Sequence, residues 1–226
     1  MKTKTSTWII PGLFFLLAAT LNICGKYAGN EALAAHVKPA LLPLLALTTL
    51  AAAGSLEPKE MKLLILALLL GCTGDVFLIF NGFLPFIGGM GAFLLGHICY
   101  ITLFGGRSWK GLGLKTWIPT LVVIGALVAG LISVLGVEGD LLVPMIIYGT
   151  VLMLLIFSGL AGVVREGGCA WWLILCGAVL FTFSDSLIAL DTFSEEPMGW
   201  VAGTIMLTYL AAQSLLAWGA VKLSAE

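Results

Sequence analysis

The segment "LLLGCTGDVFLIF" (residues 68–80) is apolar enough to lie inside a membrane, yet it carries a full charge at Asp75. A second aspartate, Asp185, occurs in the similar setting of "GAVLFTFSDSLIAL" (residues 177–190). An aspartate near the centre of a membrane-spanning helix costs roughly 2.5–3.5 kcal/mol, so such residues usually face the interior of a helix bundle and serve a function. These two carboxylates are therefore the starting point for both fold and function.

The composition places the whole chain in a membrane. Of its 226 residues, 60% are hydrophobic and only 10% are charged, whereas a soluble domain carries roughly 25% charged residues. The net charge is −1 and there is no run of basic residues, so we expect no nucleic-acid partner. The composition predicts an integral membrane protein.

The apolar stretches predict an all-α fold, because a membrane-spanning helix needs about 20 mostly apolar residues. Eight stretches qualify, separated by segments rich in turn-forming residues. They cover residues 8–27, 37–54, 61–80, 84–105, 117–136, 141–162, 170–192 and 197–221. We expect a bundle of eight transmembrane helices forming one membrane domain over residues 1–226, with the first span retained rather than cleaved as a signal.

Loop charges predict the orientation of this bundle. Nine of the eleven Lys and Arg residues fall at the N-terminus, in the loops after spans 2, 4 and 6, and at the C-terminus. The other side holds only Lys26 and Lys38. The positive-inside rule then places both termini in the cytoplasm.

The two aspartates occupy equivalent places in the predicted topology. They lie 110 residues apart, in the third and seventh spans, within the similar pentapeptides "GDVFL" and "SDSLI". A duplication of four helices would explain this, as a four-plus-four repeat. Each acid lies about 14 residues, or about 21 Å, from the cytoplasmic start of its span, so both could open onto one cavity in the outer half of the bilayer. The alternative is that each is a hydrogen-bonded packing residue.

Three further polar residues accompany the acids. Lys38, in "HVKPALLPLL", is placed at the exterior start of the second span, where it could snorkel to the interface, neutralise an aspartate or hold a phosphate. His97 and Tyr100 are spaced i, i+3 and so share a face of the fourth span. The position of His97 is about 10 Å deeper than the aspartates unless the helix breaks at Gly88-Gly89, and a histidine in a membrane often only joins two helices by a hydrogen bond.

Two tyrosines and a glutamine complete the polar set. Tyr148 lies in the sixth span, and Tyr209 and Gln213 are spaced i, i+4 in the eighth. Tyrosines are ordinarily interfacial or packing residues, so only their occurrence together with the acids makes them candidates for a site. Asp191, Glu195 and Glu196 are interpreted as solvated loop charges.

The ordered segments "KPALLPLL", "GCTGDVFLIF", "GGMGAFLLGHICYITLF" and "FTFSDSLIAL" resemble the YhhN family of membrane proteins. The resemblance runs over most of the chain and rests on the order K-P, G-D, G-H-x-x-Y and S-D. It implies a lysoplasmalogenase, which cleaves the vinyl ether bond of lysoplasmalogens to a fatty aldehyde and glycerophosphoethanolamine or glycerophosphocholine. The residues carried over are Lys38, Asp75, His97, Tyr100 and Asp185, and also Tyr148, Tyr209 and Gln213.

The chemistry of that reaction suits a pair of buried carboxylates. Hydrolysis of a vinyl ether begins with protonation of the carbon β to the ether oxygen, which gives an oxocarbenium ion that water then attacks. Burial and mutual repulsion would keep one acid of a pair protonated, and glycosidases meet the same oxocarbenium problem with two carboxylates. The hypothesis gives one aspartate the acid role and the other the anion and base role, without deciding which.

The remaining residues have supporting roles in this hypothesis, and one alternative stays open. Tyr100, Tyr148 and His97 would position water or the ether oxygen, Lys38 would steer the phosphate, and no cofactor or metal is expected. The partners would be a lysophospholipid substrate and membrane lipid, in a bacterial inner membrane; the oligomeric state is open. The same acids would also suit a proton-coupled secondary transporter or lipid carrier.

Overall fold

A computed structural model describes residues 7–53, 56–193 and 199–225, and within these ranges the chain forms eight α-helices and no strand. The helices are α1 (Ile9–Tyr27), α2 (Glu31–Ala52), α3 (Pro58–Phe77), α4 (Phe83–Ser108), α5 (Leu114–Leu135), α6 (Leu142–Arg165), α7 (Gly168–Phe193) and α8 (Val201–Leu223). A single 3₁₀ turn, Gly139–Leu141, precedes α6. The predicted all-α fold is confirmed.

Seven of these eight helices are long and apolar enough to cross a membrane. The exception is α3, which has a similar length of 20 residues but begins with Lys59, Glu60 and Lys62 and also contains Asp75. Its position between α2 and α4 makes it part of the same bundle. The architecture is that of an integral membrane protein.

The largest difference from the predicted boundaries is at the start of α2. The helix begins at Glu31, six residues before the predicted 37, because the side chain of Asn30 accepts a hydrogen bond from the Leu33 amide and caps it. Pro39 and Pro43 lie inside this helix rather than before it. Lys38 is therefore seven residues inside α2, about 10 Å along its axis, and the prediction that it starts the span was wrong.

Helix α4 has no break at Gly88-Gly89 and runs as one helix from Phe83 to Ser108. His97 and Tyr100 consequently keep the i, i+3 relation predicted for them. The glycines serve packing instead, since a Cβ at Gly88 would come within 3.0 Å of the Phe77 ring. The discontinuous helices that many transporters use at their binding sites are not seen at this position.

Seven helices form a closed ring. Helix contacts run from α1 to α2, α3, α4, α6, α7 and α8 and back to α1, and α8 also touches α2 and α3. Helix α5 lies outside this ring against α6, and it buries only Ile124 and Val128. The helix ends that are nearest to Asp75 and Asp185 lie together at one end of the ring. The candidate active site lies at this end.

Close helix packing in the ring depends on glycine where backbones meet. A Cβ at Gly159 of α6 would lie 2.8 Å from the Leu175 Cα and 2.9 Å from the Leu175 nitrogen of α7. No side-chain rotation can relieve a clash with backbone. By contrast, a Cβ at Gly125 of α5 would meet nothing within 4 Å.

We therefore expect Gly159→Ala to lower the free energy of unfolding by about 1–3 kcal/mol, the cost of overpacking a close contact. The measurement is thermal unfolding of the purified protein in detergent. Gly125→Ala is the matched control, and its unfolding temperature should be unchanged or slightly raised by helix propensity. Equal unfolding temperatures for the two variants would contradict this account of α6–α7 packing.

Candidate active site

A cavity of about 490 Å³ opens at the end of the ring where α3 ends and α4 begins. Its walls come from α1, α2, α3, α4, α7 and α8, from residues 80–82 between α3 and α4, and from Leu141 of the 3₁₀ turn, so it lies between the helices at the end of the ring. Among its lining residues are Lys38, Asp75, Asp185 and Tyr209. We refer to it as the acid cavity, because both membrane-embedded aspartates line it.

Asp75 is held as one half of an ion pair. Its side chain is almost wholly buried, and Oδ1 lies 3.3 Å from the Lys38 Nζ. The other oxygen, Oδ2, accepts a hydrogen bond of 2.9 Å from the Tyr209 hydroxyl. The Lys38 side chain is only 11% exposed, so of the roles open to it from the sequence, neutralising an aspartate is the one the geometry favours.

Asp185 has different surroundings. Its Oδ2 accepts a hydrogen bond of 2.5 Å from the Tyr148 hydroxyl, and it makes no ion pair within the described ranges. It stands at the same height as Asp75, since each acid lies 17 residues after the first residue of its helix (75 − 58 and 185 − 168). Each acid therefore accepts a hydrogen bond from a tyrosine, and Asp75 differs from Asp185 in having a cation beside it as well.

A second polar layer lies one helical turn deeper, and it contains His97, Tyr100 and Gln213. The Tyr100 hydroxyl donates to the Gln213 Oε1 at 2.6 Å, and the Gln213 Nε2 lies 3.5 Å from the Tyr209 oxygen. A chain of polar contacts thus runs from Tyr100 through Gln213 and Tyr209 to Asp75. Gly71 permits it, because a Cβ there would lie 3.0 Å from the Gln213 Nε2 and 3.2 Å from the Tyr209 hydroxyl.

His97 is buried beneath Asp185. Its ring packs edge to face on Phe181 at 4.4 Å and on Tyr148 at 5.6 Å between centroids. Neither ring nitrogen makes a hydrogen bond of regular geometry with the described part of the chain. His97 and Tyr100 line the tightly packed second layer and do not line the acid cavity.

Two small clefts, the apolar clefts, lie on the side of Asp185 that faces α5 and α6. Their volumes are about 50 and 30 Å³. Both are lined by Met145, Tyr148, Asp185 and Ala189, and otherwise mainly by apolar side chains of α4, α5, α6 and α7. Asp185 lines all three spaces, so it stands where the charged cavity meets an apolar path between helices.

Sequence reasoning missed two residues that line the acid cavity. Asp191 belongs to α7 and not to a loop, and Lys26 in the last turn of α1 faces the same space. The signal for Asp191 was its place on the same span as Asp185, whereas nothing in the sequence indicated which way Lys26 points. Glu195 and Glu196 lie outside the described residues.

Fold and site together define an all-helical integral membrane protein with paired acids in a cavity inside its bundle. The chain belongs to the YhhN family, whose model matches residues 33–220.

Relatives from animals and bacteria carry one descriptive name. The chain is 33% identical to human "Lysoplasmalogenase TMEM86B", over 95% of this chain and 87% of that protein. It is 33% identical to bovine "Lysoplasmalogenase TMEM86A", over 69% of this chain and 63% of that protein. It is 30% identical to "Lysoplasmalogenase" of Mycobacterium tuberculosis, over 75% of this chain and 65% of that protein. No solved structure matches the fold.

The stability of the protein should depend on the Lys38–Asp75 ion pair. We expect Lys38→Met to lower the free energy of unfolding by up to about 3 kcal/mol, because it leaves a buried carboxylate without its cation. The double variant Lys38→Met/Asp75→Asn should recover part of this loss, since it removes the unpaired charge as well. The measurement is thermal unfolding of the single variants and the double variant in detergent. Additive effects of the two substitutions would contradict direct coupling.

Proposed function

We propose that this protein is a lysoplasmalogenase that hydrolyses the vinyl ether bond of lysoplasmalogens. The relatives named above support the activity, and one observation of this chain carries the assignment to its site. Asp185 lies at the junction between a charged cavity and apolar clefts. A lysoplasmalogen has its vinyl ether at the junction between a charged head group and an apolar chain. Placing head group and chain in matching surroundings brings that bond to Asp185.

The two acids take different roles in this proposal. Asp75 remains an anion because the Lys38 ammonium is 3.3 Å away, and its negative charge stabilises the oxocarbenium ion through space. Asp185 has no cation beside it within the described residues and is the proton donor. Tyr148 occupies its Oδ2, which leaves Oδ1 to carry the proton. The products are a fatty aldehyde and glycerophosphoethanolamine or glycerophosphocholine.

The proposed steps balance with Asp185 alone as acid and base. Protonated Asp185 transfers its proton to the carbon β to the ether oxygen, and the electron pair of the vinyl bond forms the new C–H bond. Water attacks the resulting oxocarbenium carbon and gives its proton to the Asp185 carboxylate. The hemiacetal then collapses as Asp185 protonates the leaving glycerol oxygen and receives the hydroxyl proton. The aldehyde and the alcohol leave, and Asp185 is again protonated.

The second layer has a positioning role in this proposal. His97 and Tyr100 do not line the acid cavity, so they act on the reacting groups through others. His97 supports the Tyr148 ring, which holds Asp185. Tyr100 and Gln213 orient the Tyr209 hydroxyl, which holds Asp75. The proposed steps use neither a metal nor a cofactor, because a side chain of the protein moves every proton.

We also propose that the acid cavity faces the exterior side of a bacterial inner membrane. The positive loops predicted to be cytoplasmic lie at the other ends of the helices. A lysolipid in the outer leaflet has its head group at the interface and its vinyl ether just below it. An acid pair near the exterior ends of α3 and α7 is at a suitable depth for that bond.

The central prediction concerns the acids. Asp185→Asn should lower the rate of aldehyde release by at least about 100-fold, the usual loss when a general acid is removed. Asp75→Asn should do the same through loss of the anion, and Asp75→Asn/Lys38→Met removes the unpaired lysine should the single variant be unstable. Aldehyde formed from lysoplasmalogen in detergent is the measurement. Asp140→Asn, an exposed acid outside the cavity, is the control and should keep wild-type rates.

Deuterium incorporation tests the protonation step itself. In D₂O the wild-type enzyme should give an aldehyde with one deuterium on the carbon next to the carbonyl, which reduction to the alcohol preserves for mass spectrometry. An aldehyde without deuterium would exclude the proposed step.

Hydrolysis in detergent, where no gradient exists, separates this proposal from a proton-coupled transporter. A transporter would move the lipid into proteoliposomes without releasing aldehyde.

A further inference from the structure

We propose that Lys26 and Asp191 form a recognition site for a zwitterionic head group at the rim of the acid cavity. Lys26 would take the phosphate of the lysolipid and Asp191 its terminal ammonium. This inference rests on the proposed function and names the part of the substrate that the acids do not touch. Nothing in the motifs of the sequence points to either residue.

The charges that line the acid cavity fall into two groups. Lys38 is 3.3 Å from Asp75 and nearly buried, so it is already occupied by an anion and cannot also serve an incoming phosphate without leaving Asp75 unpaired. The other cation that lines the cavity is Lys26, in the last turn of α1. The phosphate site is therefore assigned to Lys26.

Lys26 has a partner that it can exchange. Its Nζ lies 2.6 Å from the Glu31 Oε2, but the Glu31 side chain is 66% exposed while that of Lys26 is 21% exposed. An ion pair with so exposed a carboxylate contributes little to stability. A phosphate inside the cavity can replace Glu31, or share the ammonium with it, at small cost.

Asp191 is available to a cation. It lines the acid cavity from α7, is exposed, and makes no hydrogen bond or ion pair with the residues that the structure describes. It lies six residues beyond Asp185 in the same helix, which is about 9 Å along the axis. Because both residues belong to α7, the helix fixes the distance along its axis between Asp191, near the rim, and Asp185, the proposed proton donor.

The dimensions of the substrate fit this spacing. In an ethanolamine lysoplasmalogen about nine bonds separate the ether oxygen from the ammonium, or roughly 10 Å when extended, and the phosphorus lies about halfway. With the vinyl ether at Asp185, the ammonium reaches the height of Asp191 and the phosphate lies between them. Lys26, in the last turn of α1, lines the same cavity and is the cation that this phosphate would meet.

The experiment compares four vinyl ether substrates with the same chain. They are the alkenyl glycerophosphoethanolamine, the glycerophosphocholine, the glycerophosphate, which lacks the amine, and the alkenyl glycerol, which lacks the phosphate as well. We expect Asp191→Asn to raise KM roughly two- to five-fold for the two amine substrates, the size expected of a partly exposed charge pair. KM for the alkenyl glycerophosphate should not rise and should fall slightly, because Asp191→Asn removes a negative charge near its phosphate, and Asp191→Lys should lower it further.

Lys26→Gln should raise KM by a similar factor for the three phosphate-bearing substrates and leave that of the alkenyl glycerol unchanged. In both variants kcat should stay close to wild type, because the acids are intact. Glu138→Gln is the matched control, since Glu138 is exposed on the same predicted side and does not line the cavity. A KM that rises equally for all four substrates would overturn the rim site, because it would report a general disturbance.

The same experiment distinguishes an incorrect head-group site from an incorrect activity. If wild-type protein releases no aldehyde from any of the four substrates, the activity itself is wrong. If it hydrolyses all four with equal KM, and the variants change nothing, the activity stands and the head-group site is wrong. Thermal unfolding in detergent confirms that each variant is folded before its kinetics are compared.

Discussion

The ion pair between Lys38 and Asp75 is the interaction on which the site depends. Removing a carboxylate and an ammonium from water costs several kcal/mol per ion, and only close pairing with additional hydrogen bonds offsets it. Here the pair spans 3.3 Å, and Tyr209 donates a further hydrogen bond to Asp75. The pair joins α2 to α3, and the tyrosine adds α8, so three helices of the ring are fixed around one charge.

That pairing also makes two chemically identical residues different. Asp75 and Asp185 stand at equal heights in their helices, yet one faces an ammonium and the other faces the Tyr148 phenol. A cation favours the charged form of a carboxylate, while an apolar setting without a cation favours the neutral form. In the proposed mechanism this difference makes Asp185 the proton donor and Asp75 the anion.

The all-α fold could be predicted from the sequence, because hydropathy reports directly on the length and order of the spans and charged residues mark the loops between them. The contacts between side chains inside the ring could not be predicted, because they depend on which face of each helix points inward. Lys38 shows the reason: the apolar stretch predicted a helix start at residue 37, but the Asn30 cap extends α2 by almost two turns, so Lys38 lies inside the helix and reaches Asp75. The spacing of His97 and Tyr100 placed them on one face of α4, and the position of His97 along the span placed it deeper than the aspartates, in agreement with the second layer beneath the cavity. The position of α5 outside the ring was not predicted either, although α5 is the most apolar of the candidate spans, as expected of a helix that faces lipid on most sides.

The division of space around Asp185 suits the proposed substrate, a lipid with a charged head group and a flexible apolar chain. The apolar clefts would solvate a charged head group poorly, whereas the acid cavity holds the Lys38–Asp75 ion pair together with Lys26, Asp185 and Asp191. In the proposed function the head group therefore lies in the acid cavity, and the vinyl ether lies near Asp185. The tightly packed second layer closes the cavity beneath that junction, so water reaches the acids from the rim. In the proposed mechanism, the polarity of the surroundings rather than a closely fitting channel for the chain brings the vinyl ether to Asp185.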